Sequence, residues 1–196
     1  MLAGDGVHHD TRTFKLGQEL GMCCGGQVDV FLETIDAVVP CLVVGGGHVA
    51  TALAPLLVRL GFLVTLVDER EDWGKEGRLP GVRCIVGEVG DPGCDLDEAS
   101  ARRTAVLVMT HDHGLDQRVI EWALSRGAGF VGGVGSRAKA KRTKDRLAAK
   151  GFAEQDLERV RMPLGVEVGA RLPEEIAVSI AAEMVAWRRH RDMPAR

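Results

Sequence analysis

The chain has 196 residues, 45% hydrophobic and 27% charged, with a formal charge of −3, enough for one domain with a sizeable core plus a short appendage. Its ordinary apolar fraction excludes a disordered chain, and a pI near 6.1 argues against a basic nucleic-acid binder. No run of 18 apolar residues offers a membrane span, and residues 1–20 carry Asp5, Asp10 and Glu19 without the apolar stretch of a secretory signal. Glycine, at 25 residues, is nearly twice as frequent as the usual ~7%, while aromatics number only eight. That balance fits loops that approach a ligand closely and a core filled by aliphatic side chains. The five cysteines (Cys23, Cys24, Cys41, Cys84, Cys94) are odd in number and irregular in spacing, so they make no disulfide framework and point to a reducing, cytoplasmic compartment.

Taken in chain order, Val28–Glu33 reads as a strand after the string Gly21-Met-Cys-Cys-Gly-Gly26. Cys41–Val44 is a short aliphatic strand running into three glycines. Val49–Leu60, with Arg59 as its single charge, reads as a helix pressed on a sheet, bent at Pro55 and stopped by Gly61. Strands follow at Phe62–Val67, Val82–Val86 and Thr104–Met109, then a helix over Leu115–Arg126. Phe130-Val131 opens a fifth strand before Gly132, Gly133 and Gly135. A basic helix spans about Arg137–Ala149, and Pro173–Arg189 is a last helix with Ile176, Ile180, Met184 and Trp187 on one stripe. Charge is uneven, with a net −6 over residues 67–99 and +6 over residues 137–150. Aliphatic strands alternating with helices predict an α/β fold: a Rossmann-like doubly wound parallel sheet over residues 38–196, with residues 1–37 as a short N-terminal appendage. Ligands of such a sheet bind beyond the carboxyl ends of its strands.

Four strings could carry chemistry. Gly45-Gly-Gly-His-Val-Ala50 joins a strand to a helix, so Gly45, Gly47 and His48 can present amides and the helix dipole to a phosphate, with Asp68 placed to accept from a ribose diol. The alternative is a glycine turn that only packs helix on strand. Thr110-His-Asp-His113 ends the fourth strand, where His111 lines the cleft or the imidazoles exchange protons or bind metal, while Asp112 or His113 caps the next helix. Gly132-Gly-Val-Gly-Ser-Arg137 makes Ser136 and Arg137 a second anion cradle, with Lys144, Arg146 and Lys150 on a solvated face. Cys23 and Cys24 could bind a soft metal or accept a sulfur atom, or could be incidental thiols in a turn.

Together with Leu16–Gly26, Val67-Asp-Glu-Arg70 and Pro173–Ile180, these strings resemble the XdhC/CoxI family, the accessory proteins of xanthine dehydrogenase and related molybdenum hydroxylases. The resemblance implies a chaperone that binds the molybdenum cofactor (molybdopterin), holds it while a cysteine desulfurase supplies its terminal sulfur, and assists insertion into the apo-molybdenum hydroxylase. It places Gly45–His48 and Asp68 on the family's nucleotide-type site, Cys23 and Cys24 on its Cys-Cys-Gly-Gly string, with one or other thiol expected near the metal, and Ser136 and Arg137 on its Gly-Ser-Arg string. The resemblance implies well over a hundred residues before the Cys-Cys string, where this chain has 22; residues 1–37 are then expected to be a remnant of the family's N-terminal domain, whether in a shortened gene product, a split subunit or a fragment. Leu172 stands where a capping Thr or Ser is expected.

Two other function classes fit the same residues. An NAD(P)-dependent oxidoreductase would use Asp112 as base, in fainter resemblance to the dehydrogenase domain of sirohaem synthesis. A nucleotide-sensing module would bind without turnover. Neither needs Cys23-Cys24. The opposed charge runs also allow a second copy of the chain as partner.

Overall fold

The computed structural model describes residues 8–15, 26–34, 38–87 and 98–191. Cys23, Cys24 and Cys94 lie outside the described residues. The chain divides into two compact units, Met1–Ala37 and Val38–Arg196.

In the first unit, β1 (His8–Lys15) pairs antiparallel with β2 (Gln27–Thr34), Lys15 opposite Gln27 and His8 opposite Thr34. Cross-strand partners Thr13 and Asp29 are joined by a 2.6 Å hydrogen bond from the threonine hydroxyl. The sequence pattern anticipates β2 but not β1, whose run of His, Asp, Thr, Arg and Lys lacks an apolar alternation.

The second unit runs β3 (Val39–Val44), α1 (His48–Arg59), β4 (Phe62–Asp68), α2 (Glu71–Gly74), β5 (Arg83–Val86), α3 (Glu98–Arg103), β6 (Ala105–Val108), α4 (His113–Ser125), β7 (Phe130–Gly133), α5 (Arg137–Ala149), α6 (Glu154–Arg159), β8 (Val160–Arg161) and α7 (Pro173–Arg191). The six strands form one parallel sheet in the order β5-β4-β3-β6-β7-β8. Numbered within the sheet this is 3-2-1-4-5-6, the doubly wound order, which reverses direction between β3 and β6.

Both faces of the sheet are covered, which is why its strands are continuous aliphatic runs. Cys41 and Val43 point into a core made with Leu53 and Leu57 of α1 and Ile180 and Met184 of α7. Leu42 and Val44 point the other way, to Leu115, Val119 and Ile120 of α4 and Leu147 of α5. The stripe anticipated on the last helix is the one α7 buries, with Ile176 and Trp187 at its margins. Gly61, at φ +84°, ends α1 as a left-handed C′ residue. Among the described residues no helix is long and apolar enough to cross a membrane.

Burial pushes the Cys41 thiol up to about 12 and raises that of Cys84 as well. Thiolate is the reactive form, so these two cysteines are inert packing groups. Native protein treated with iodoacetamide at neutral pH is expected to leave Cys41 unmodified by peptide mass spectrometry until denaturant is added.

At the start of α7, the carboxylate of Glu175 accepts from the amides of Arg171 (2.7 Å) and Leu172 (3.0 Å). These backbone bonds also hold its carboxyl below the usual value. This is half of a capping box, and Leu172 supplies no return bond to the helix amides. Leu172 is exposed, so Leu172→Ser completes the box at little apolar cost. Its expected gain is about 1 kcal/mol in a urea titration.

Candidate functional site

The site is assembled where β3 and β6 diverge. The Gly45 amide donates to Val67 O at 2.9 Å, and the Met109 amide donates to Val44 O at 2.9 Å, so the chain just beyond both strand ends is fixed. Gly45 sits at φ +100°, and a Cβ there would lie 2.6 Å from Met109 O. The glycine is therefore required by backbone against backbone, and the turn it makes directs the next residues into α1.

Gly47 is the N-cap of α1, with φ −61° and no side-chain cap. A Cβ on it would meet nothing within 4 Å. The other two long helices starting at this edge are capped by their own side chains. Asp112 accepts the Leu115 amide at 2.8 Å for α4, and Ser136 accepts the Lys139 amide at 3.2 Å for α5. Glycine is a weaker choice for this place than Ser, Asp or Asn, and here it keeps the first-turn amides of α1 clear of the protein's own oxygen.

The N-termini of α1, α4 and α5 converge on a crevice of about 410 Å³. Gly47 and His48 line one wall, Thr110 and His113 a second, and Ser136, Lys139 and Arg142 a third. No carboxylate is among the described residues lining it. Each helix start carries roughly half a positive charge, and dipoles fixed in this way favour an anion without reorganisation. Lys139 adds less net charge than its position suggests. Its ammonium, with only 12% of the side chain exposed, donates to the buried Asp116 carboxylate and to Val134 O at 2.9 Å. The same carboxylate accepts the Thr110 amide (3.0 Å) and hydroxyl (2.7 Å), so the pair ties β6, α4 and α5 together around the crevice. Arg142 has no ion-pair partner among the described residues and is the full charge left over for a ligand.

Gly47, His48 and Ser136 line the crevice, while Gly45 lies beneath it and serves the turn. Asp68 is behind the loop, 2% exposed, and outside the crevice. His111 lies in an exposed turn away from the lining, which instead receives His113, the first residue of α4. Arg137 points out, 86% exposed, and pairs with Glu167 at 3.3 Å. The glycines before it are occupied with packing. A Cβ on Gly132 would lie 2.5 Å from Leu164 Cδ1, and one on Gly135 would lie 2.5 Å from Cδ of Lys139. In the sequence, Lys139 and Arg142 stand out only as part of a basic helix. Their spacing of three places both on one face one turn into α5, a signal available in the sequence once the crevice side is known.

Asp112 is held below the usual carboxylate range, chiefly by the Leu115 amide and then the Gly114 amide. It is a helix cap and a poor proton acceptor. Among the described residues no group of three His, Cys, Asp or Glu is placed to hold a metal ion.

Burial alone would raise the Asp68 carboxyl, but the Arg70 side chain, the Gly46 and Arg70 amides and the nearby guanidinium charge outweigh it and hold it below the usual carboxylate value. Its contribution to stability is therefore complete above the ordinary carboxylate value and is lost as pH falls through the lower, folded value. Asp68→Asn is expected to flatten this acid limb of a stability-against-pH curve below about pH 4.

A family model described as the XdhC Rossmann domain matches residues 41–184. The chain belongs to this family. The XdhC match covers β3 through most of α7, and so contains the whole crevice. Among curated proteins, the uncharacterized protein YqeB of Escherichia coli (strain K12) is 30% identical over 168 residues, covering 85% of this chain and 30% of that protein. A probable xanthine dehydrogenase subunit of Bacillus subtilis (strain 168) is 29% identical over 162 residues, covering 82% of this chain and 46% of that protein. The chain thus spans under half the length of either relative. A crystal structure of a xanthine dehydrogenase from Bacillus halodurans superposes with a TM-score of 0.68 at 21% identity, covering 87% of this chain and 47% of that one. That likeness supports the XdhC-type fold.

Proposed function

We propose that this XdhC-family chain is an accessory factor for a molybdenum hydroxylase of the xanthine dehydrogenase type, and that its crevice holds the molybdenum cofactor by its phosphate. The observation that carries the reading is the uncapped start of α1, opening into a crevice that two further helix N-termini and Arg142 make positive. A phosphomonoester fits this donor set. The first-turn amides of α1 and Arg142 would hold the phosphate, and the Ser136 hydroxyl with His113 offers polar contacts to a pterin. When bound, the cofactor supplies the molybdenum centre used by the recipient enzyme. The chain's own part is to bind, orient and shield it, so the role is that of a maturation factor more than a catalyst.

Cys23 or Cys24 would be the thiol that takes sulfur from the persulfide of a cysteine desulfurase by thiol exchange, before the cofactor passes to the apo-hydroxylase. The NAD(P)-dependent oxidoreductase and nucleotide-sensing readings have the strand order in their favour. The oxidoreductase reading needs Asp112 as a base, and that carboxylate is engaged as a cap.

The test uses the full chain mixed with excess molybdenum cofactor, re-purified, and assayed for retained pterin by fluorescence after oxidation. Wild type is expected to retain pterin, and Arg142→Glu to lower retention about tenfold, as reversal of a charge next to a phosphate should. No retention by wild type contradicts the proposal. Replacing Cys23 and Cys24 together with alanine is expected to leave retention intact and to impair activation of the partner hydroxylase. Unimpaired activation would reduce the two thiols to structural residues. Native mass spectrometry of the wild-type sample reads any self-association alongside ligand occupancy.

A further inference from the structure

In a dinucleotide-binding sheet, the acid at the end of the second strand accepts hydrogen bonds from a ribose diol. Asp68 has that position, since β3 and β4 pair with Val44 opposite Val67. A carboxylate offers about four acceptor sites, and here all are filled from within the protein. Oδ2 accepts the Gly46 amide and Arg70 Nη2, both at 2.7 Å, while Oδ1 accepts the Arg70 amide at 2.9 Å and Arg70 Nε at 2.8 Å. The guanidinium grips the carboxylate as a two-pronged fork, the strongest and most directional form of this pair.

Arg70 is itself braced. It lies 5.2 Å from the centroid of the Trp73 ring, and Arg78 lies 4.8 Å from the same ring. Arg78 in turn donates to Trp73 O at 3.1 Å and to the Thr51 hydroxyl at 2.5 Å, which fastens α2 to α1. The crevice extends from the glycine loop toward β6 and β7, and none of its lining residues belongs to β4, α2 or β5. The acceptor atoms that a ribose diol would use on Asp68 are held by the protein's own guanidinium and amides.

Building on the crevice as a phosphate site, we infer that Arg70 is a specificity-determining residue: its fork on Asp68 closes the adenosine half of the fold, so the site accepts a compact phosphomonoester and rejects dinucleotides. The fork takes the diol's acceptor, and the Trp73 stack keeps the fork in place.

The experiment titrates NADH into the full chain, followed by nicotinamide fluorescence, and inorganic phosphate in parallel, followed by thermal shift. Wild type is expected to show no saturable NADH binding. Arg70→Ala frees two acceptor sites on Asp68 and is expected to tighten NADH binding by about tenfold or more, the effect of restoring hydrogen bonds to a charged acceptor. Arg70→Gln, which keeps one donor toward Asp68, is the companion variant should the alanine form fold poorly, and a smaller gain is expected of it. Saturable NADH binding by wild type would overturn the inference, as would folded Arg70 variants that gain nothing. The phosphate titration separates this from the parent reading. Phosphate that fails to stabilise wild type counts against the crevice as an anion site, whereas the NADH results bear on the Asp68–Arg70 closure.

Discussion

Gly45→Ala should destabilise the protein by about 3 kcal/mol or more, because two separate penalties fall on one atom. A non-glycine residue held at positive φ costs roughly 1–2 kcal/mol, and the residue sits at φ +100°. The new methyl would also lie 2.6 Å from Met109 O and 2.7 Å from its carbonyl carbon, where backbone cannot yield as a side chain would. Forcing a methyl into such a place costs roughly a further 1–3 kcal/mol. Urea denaturation reads the loss directly. Because the displaced backbone is where β6 leaves the sheet, the lesion should also spread to Thr110 and the wall of the crevice.

Lys139→Met is the second large effect, about 3 kcal/mol, although the lysine is on a helix whose sequence looks like a solvated basic face. Its removal leaves the Asp116 carboxylate, 3% exposed, without its charged partner. Breaking one side of a buried pair costs roughly 3–5 kcal/mol, well above the ~0–1 kcal/mol of a surface ion pair. The cost should fall when the carboxylate is neutralised too. A double-mutant cycle with Asp116→Asn is expected to return a clear favourable coupling between the two, with the double variant more stable than the sum of the single losses predicts. Additive losses would mean that Lys139 contributes through its packed stem over Gly135 and not through charge.

The doubly wound sheet is legible in the sequence because its signals are periodic and local. Cys41–Val44 and Phe62–Val67 are almost wholly apolar, the pattern of strands in a sheet covered on both sides, and Gly61 and Pro173 mark helix ends by backbone chemistry alone. The elements that escape notice lack such patterning. β8 is two residues long, and β1 is almost wholly polar. At the site, the glycine loop is recognisable because a strand, a turn and a helix follow one another in sequence. The Asp116–Lys139 pair is not, since its partners are 23 residues apart and meet only where the fold brings the starts of α4 and α5 to one crevice. Arg137 misleads for a related reason. Being next to Gly135 and Ser136 in sequence says nothing about which side of α5 it occupies, and it falls on the outer side while Lys139 and Arg142 face in. Asp68 stands where the sequence pattern puts it, but the arginine two residues later takes the bonds that the pattern assigns to a ribose.

If the bare start of α1 is reserved for a ligand's phosphate, Gly47→Asp should separate folding from binding. Asp is a good N-cap and its charge suits a helix start, so the variant should be at least as stable as wild type, by about 0.5 kcal/mol or more. The same carboxylate would occupy the amides and repel an anion. Measured side by side, the variant is predicted to melt no lower than wild type and to retain no pterin after incubation with the molybdenum cofactor. A variant that folds equally well and still carries the cofactor as wild type does would contradict the account.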